Sequence, residues 1–211
     1  TVGETAGMPD MLKKRGNLLI ALGLLLLIGA AGLTVYNLNA DKNAGQEAVA
    51  VVDDLNALLA ETEIQVKLEP GWISDTEQRL LELDGRSYLG LITIPTLELQ
   101  LPVQNEWSYP NLKISPCRMQ GNPESEDLVI LAHNYQSHFG TLDQLKEGDE
   151  VSVTLIDGTT YVYSVDAIEV IQPTAVEDVT SGEWPLTLFT CTLGGRTRVV
   201  VHCDWATEES A

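Results

Sequence analysis

Residues 18–36, LLIALGLLLLIGAAGLTVY, hold no charge, and the charge-free stretch around them runs from residue 16 to residue 40. A bilayer-spanning helix needs about 20 consecutive apolar residues. This run therefore predicts a membrane-spanning helix over 16–40 and removes the start of the chain from any globular core. A cleaved secretory leader is the competing reading, but its apolar region is usually about 7 to 15 residues long and closes on a small-residue cleavage site. The run here is longer, and no A-x-A sequence closes it. Lys13, Lys14 and Arg15 precede it, and Asp41 is the first charge beyond it. Basic residues are retained on the cytoplasmic side. Residues 1–15 are thus expected as a cytoplasmic tail, with everything beyond about residue 37 outside the cell.

Past the membrane segment, QEAVAVVDDLNALLA at residues 46–60 places Val49, Val52, Leu55, Leu58 and Leu59 at helical spacing. That spacing predicts an amphipathic extracellular helix. Residues 61–86 mix polar residues with Pro and Gly and sustain no period. Residues 41–86 are therefore expected as an extracellular helix and linker. From about residue 87 the signals are nearly all β. YLGLITIP, LELQLPV, DLVILAHN, DEVSVTLI, TYVYSVDAIEVI, LTLFTC and RTRVVVHC are short apolar or alternating runs bounded by turn residues. The expected fold is mainly β: a closed seven- to eight-stranded barrel with short helices over residues 87–207, then a short tail over 208–211. Asp157-Gly158 marks a hairpin. FGTLDQLKEGDEV reads as a short helical turn broken at Gly148-Asp149, which leaves His133 at a strand end before a loop.

The formal net charge is −19, from 12 basic and 31 acidic residues. A phosphate backbone is bound through clustered Lys and Arg, so nucleic acid is excluded as a partner class. The acidity reads as solubility, and its runs over 124–127 and 147–150 read as solvated loops. Three cysteines in an exported chain leave at least one thiol over after any intramolecular pairing.

Cys191 closes the run LTLFTC, and TLGGRTR then turns the chain back toward RVVVHC. In a hairpin, Cys191 and Arg198 stand on opposite sides of its mouth and reach the same point in space. A guanidinium there favours thiolate and holds a developing oxyanion. The plain alternative is that Cys191 is a small buried hydrophobe. The base would come from His133, His138 or His202. His202 shares a strand face with Arg198, while Cys203 points the other way, so spacing does not exclude it. His133 follows the apolar DLVILA, which holds its backbone while the ring emerges at the rim.

TLFTC at 187–191 resembles the T-L-x-T-C signature of sortases, LAHN with His133 their histidine strand, and TRVVV with Arg198 their arginine strand. All three occur in the family's order behind one N-terminal membrane helix, and the similarity spans roughly residues 88–205. The resemblance implies a sortase-type barrel with Cys191 as attacking thiol and His133 as acid/base. It further implies that Arg198 stabilises the tetrahedral intermediate and orients the sorting peptide, and that Thr190 helps position substrate. It gives His138 and His202 no role. The implied reaction cleaves an LPxTG-like motif of a secreted surface or pilin protein through a Cys thioester, which an amine of the cell wall or a pilin resolves. The short interval from Cys191 to Arg198 and the helical region before the barrel resemble class B sortases. No lid with an aromatic anchor of the pilus-building kind is evident; residues 61–86 are where one would lie. No cofactor is expected, with calcium as the alternative because some sortases are calcium-activated.

Cys117 and Cys203 remain, either as a disulfide stabilising the domain by about 4 kcal/mol or as small buried residues. The rival functions are a cell-wall cysteine peptidase or peptidoglycan cross-linking enzyme using the same Cys and His, and a membrane-tethered β-domain without catalysis.

Overall fold

The computed structural model describes residues 8–68, 80–175, 179–180, 182–192 and 194–206, with side chains of the first helix described over 15–60. Helix α1 (Met8–Leu68) opens the chain. Two compact units are present, Thr1–Asp41 and Lys42–Ala211. In the first, the helix is long and apolar enough to cross a bilayer, and Leu18, Leu25, Ile28, Leu33 and Leu38 stay more than half exposed.

Helix α1 takes in both the apolar run and the amphipathic stretch and runs without a break to Leu68. Residues 37–45 contain no proline, and the first one beyond the membrane run is Pro70. An interior Gly costs a helix only about 1 kcal/mol, so Gly45 does not interrupt it, whereas Pro70 disfavours helix in the residue before it. The buried face differs from the expected one. Ala44, Ala48, Val52 and Leu55 are buried and Val49 is exposed, a stripe at i, i+4, i+8 and i+11. Val52 and Leu55 pack on Leu91 and Ile156, and Ala48 joins the main core.

The second unit carries nine strands: β1 (Leu81–Leu83), β2 (Arg86–Ile94), β3 (Leu99–Gln104), β4 (Cys117–Gln120), β5 (Leu128–Ala132), β6 (Glu150–Leu155), β7 (Thr160–Ile171), β8 (Leu186–Cys191) and β9 (Arg198–Trp205). Their order is β1-β2-β3-β4-β5-β8-β9-β7-β6, and β6 pairs back onto β2. Eight strands thus close into a barrel, as expected, with β1 added at the start of β2 and paired to it alone. Gly90 lies where β2 meets β6; a Cβ there would sit 2.0 Å from the Thr154 carbonyl oxygen, so only glycine lets the seam shut.

Two strands escaped the sequence reading. β1 lies in the stretch taken as linker, although Asp84 and Gly85 both have positive φ, as a two-residue hairpin turn demands. The sheet therefore begins before residue 87. β4, CRMQ, is short and mixed in character and is specified by its neighbours, β3 and β5. The Asp157-Gly158 turn is present: Gly158 donates to the Leu155 carbonyl at 3.0 Å, and Asp157 Oδ1 accepts from the Thr159 N–H at 2.9 Å. A 3-10 turn at Leu142–Gln144 and the left-handed Gly148 lead into β6.

Of the two readings of Cys117 and Cys203, the structure has the small buried residues, both thiols being free. β5 and β8 lie between their strands, a separation along the sheet on the order of 14 Å at about 4.8 Å per strand. A disulfide needs Cα atoms about 4.4–6.8 Å apart. Burial pushes the Cys117 thiol up to about 12 and raises that of Cys203 as well.

Candidate active site

Three adjacent strands build the site. β5 and β8 run parallel with Ala132 opposite Thr190, so both chains leave the sheet on the same side, with His133 and Cys191 as neighbours. β8 and β9 are antiparallel with Cys191 opposite Arg198. The strand order β5-β8-β9 therefore sets His133, Cys191 and Arg198 in a row, about 4.8 Å from strand to strand.

Alternation then decides which side chains meet. Leu128, Ile130, Ala132, Leu186, Leu188, Val199, Val201 and Cys203 point into the barrel core. Val129, Phe189 and Val200 belong to a separate cluster on the other face, covered by Val179. Cys191 and Arg198 share the parity of that outer cluster and lie beyond its end, His133 directly follows the last residue of β5, and each of the three is partly exposed. The arrangement is an apolar floor ending in a thiol, an imidazole and a guanidinium.

Several contacts hold this edge. Thr190 Oγ1 donates to the Ala132 carbonyl at 2.9 Å, tying β8 to β5 one residue before the row. Asn134 Nδ2 reaches the Thr192 carbonyl at 3.4 Å just beyond it. The hairpin between Cys191 and Arg198 is closed by Thr192 and Thr197, through Thr192 N–H to the Thr197 carbonyl at 3.0 Å and hydroxyl to hydroxyl at 2.9 Å. Gly194 and Gly195 turn it with positive φ. Arg198 Nη1 donates to the carbonyls of Gly195 at 3.1 Å and Thr197 at 3.0 Å, which fixes one end of the guanidinium against the loop.

His133 is half-buried, and that burial, with the Lys113 charge as a smaller contribution, lowers its pKa from the ordinary imidazole value. Neutral imidazole, the form able to accept a proton, is thereby favoured near pH 7. Its ring lies 5.1 Å from that of Tyr135, a neighbour that carries no motif signal of its own.

The other candidates are placed apart. Thr190 is 4 % exposed and faces inward, and its hydroxyl joins two strands. His202 pairs across the strands with Thr187, four residues from Cys191, or about 13 Å. Its Nε2 meets Glu169 Oε1 at 2.8 Å and its ring stacks on Trp184. His138 is fully buried beside Tyr135. Among the described residues, no three His, Cys, Asp or Glu side chains converge closely enough to hold a metal ion.

Residues 92–206 match the family described as Sortase domain. The fold is similar to sortase C1 of Streptococcus agalactiae, at 25% identity and a TM-score of 0.54, covering 74% of this chain and 90% of that one. It is similar to Streptococcus pneumoniae sortase C, at 20% identity and a TM-score of 0.56, covering 75% and 97%. It is also similar to a Clostridium perfringens sortase C solved with the C-terminal cell wall sorting motif, at 22% identity and a TM-score of 0.50, covering 75% and 90%. No curated protein sequence matches the chain. The class B expectation gains no support from these class C structures.

Proposed function

Because the chain belongs to the sortase family, we propose that it is a membrane-anchored cysteine transpeptidase acting on an LPxTG-like sorting motif, with Cys191, His133 and Arg198 as its working residues. The observation that supports this reading is the strand register, in which Cys191 lies opposite Arg198 and Ala132, the residue before His133, lies opposite Thr190, the residue before Cys191. The helix over 16–40 anchors the enzyme in the cell membrane, with its N-terminus cytoplasmic and the barrel outside.

In the first half-reaction His133, neutral at rest, accepts the Cys191 proton, and the sulfur attacks the scissile carbonyl carbon. The oxyanion so formed lies beside the Arg198 guanidinium, whose charge stabilises it. Collapse breaks the C–N bond, and His133 delivers its proton to the departing amine, leaving a Cys191 thioester. In the second half-reaction an amine from a cell-wall peptide or a pilin attacks the thioester, its proton passes to His133, and the thiolate leaves. These steps require no cofactor; calcium enters only as an activator, which chelation followed by repletion tests. The pneumococcal sortase C similarity, reported for an enzyme whose structure concerns pilin substrate specificity, supports pilins among the substrate classes.

The deciding experiment incubates the full-length protein in detergent with LPxTG-like and NPxTN-like fluorogenic peptides, with and without a glycine or diaminopimelate-type amine, beside Cys191→Ala. Turnover that needs Cys191 and yields ligated product on adding amine is the expected result. Cleavage without ligation would make the protein a peptidase, and no Cys191-dependent turnover would overturn the reading in favour of a binding domain.

A further inference from the structure

The segment between β5 and the 3-10 turn at Leu142–Gln144 starts with His133, and it is braced from within. Phe139 N–H donates to the His133 carbonyl at 3.3 Å, and His138 and Gly140 N–H donate to the Tyr135 carbonyl at 3.0 and 2.8 Å. Phe139 is fully buried in the main core. Gly140 is packed so tightly that a Cβ there would sit 2.6 Å from the Tyr135 oxygen. Residues 133–140 therefore move as one piece, and a displacement at one point is carried to the His133 backbone.

Helix α1 comes close to that piece at Gly45. A Cβ built on Gly45 would lie 2.9 Å from Ser137 Cβ and 3.4 Å from its Oγ. Ser137 Cβ is attached directly to the backbone, so it cannot yield by a rotamer change. Ala44 and Ala48, on either side of Gly45 along the helix, are 3 % and 1 % exposed, and Ala48 is part of the barrel core. The helix is thus fixed above and below the contact. Any added volume at Gly45 must be taken up by the 133–140 segment.

We infer that Gly45 is a positioning residue: its lack of a side chain lets the juxtamembrane part of α1 seat the His133 segment at the height where the imidazole meets Cys191. This rests on the transpeptidase reading and extends it to a residue on the anchor helix that touches neither substrate nor reacting atoms. A misplacement of about 1 Å can cost about a hundredfold in rate, so a side chain at Gly45 acts on the chemical step while leaving the peptide-binding face untouched.

The test compares wild type, Gly45→Leu, Gly45→Leu/Ser137→Gly, His133→Ala and Val49→Leu in the full-length protein in detergent. Val49 is exposed on the same helix and serves as the control. Two readouts are taken: kcat and KM for peptide turnover, and the pH dependence of iodoacetamide alkylation at Cys191, followed by mass spectrometry. Gly45→Leu is expected to lower kcat about tenfold or more with KM within about twofold, and to move the alkylation profile toward that of His133→Ala. Ser137→Gly, which opens the space, is expected to restore both, and Val49→Leu to change neither. A Gly45→Leu profile identical to wild type, or a loss that Ser137→Gly does not relieve, would overturn the inference. Wild type without Cys191-dependent turnover overturns the transpeptidase reading instead, and the alkylation profiles then decide the seating of His133 alone.

Discussion

The inner and outer faces of β5, β8 and β9 are written in the same residues, alternately, and do opposite things. Inward, Leu128, Ile130, Leu186, Leu188 and Val201 are sealed, none more than 0 % exposed. Outward, Val129, Phe189 and Val200 make a smaller cluster that stops short of the strand ends, and there His133, Cys191 and Arg198 reach solvent. Thr190 and Cys191 are consecutive, yet one ties two strands together inside while the other stands at the rim. A period of two lets one strand serve stability on one side and chemistry on the other, so substitutions on the two faces should separate the two properties.

The sharpest break is Cys191→Ala, which should abolish turnover by at least about a thousandfold with little change in unfolding midpoint. In the native protein iodoacetamide should label Cys191 alone, while denaturation without reductant should expose three thiols. Labelling of Cys203 in the folded state would mean that the inner face is not sealed. Next, Arg198→Gln removes the charge beside the developing oxyanion and should cost about 10² to 10³ in kcat, read by steady-state kinetics with folding checked by circular dichroism.

On the inner face, Leu188→Ala should destabilise by about 2–5 kcal/mol through lost burial and a residual cavity, measured by urea unfolding. Activity per folded molecule should stay within a few fold of wild type. A variant that stays stable but loses activity would erase the division between faces. The smallest effect concerns pH. Burial and Lys113 lower the His133 pKa from 6.5; activity that needs neutral imidazole is lost only as pH falls through that lowered value, so the acid limb should lie below 6.5. Lys113→Ala should move the limb slightly upward, and high salt should mimic it because Lys113 is exposed and screened. Burial, the larger cause, would remain.

Much of the barrel was legible because its strands are apolar or alternating runs punctuated by Gly, Pro and Asp-Gly, and that pattern follows directly from which side chains must leave water. β1 and β4 were not, since three or four mixed residues acquire strand geometry only from their partners. The buried face of α1 was misjudged in part because alanine gives a weak periodic signal. Ala44 and Ala48 are buried by close approach to the barrel, whereas the larger Val49 is left outside.

The candidate site divides in the same way. Sequence by itself determined the membrane-length apolar run and the β class, which depend on residue type and local order, and its resemblance to the sortase motifs singled out His133, Cys191 and Arg198 as candidates. Only the tertiary structure decided that β5 and β8 run parallel, which makes neighbours of residues 58 positions apart. It also turned Thr190 inward, kept Cys117 and Cys203 apart, placed His202 against Glu169 and brought Gly45 against Ser137. Pairing between distant strands is set by the free energy of closing the whole barrel over one core, and no local stretch of residues carries that sum.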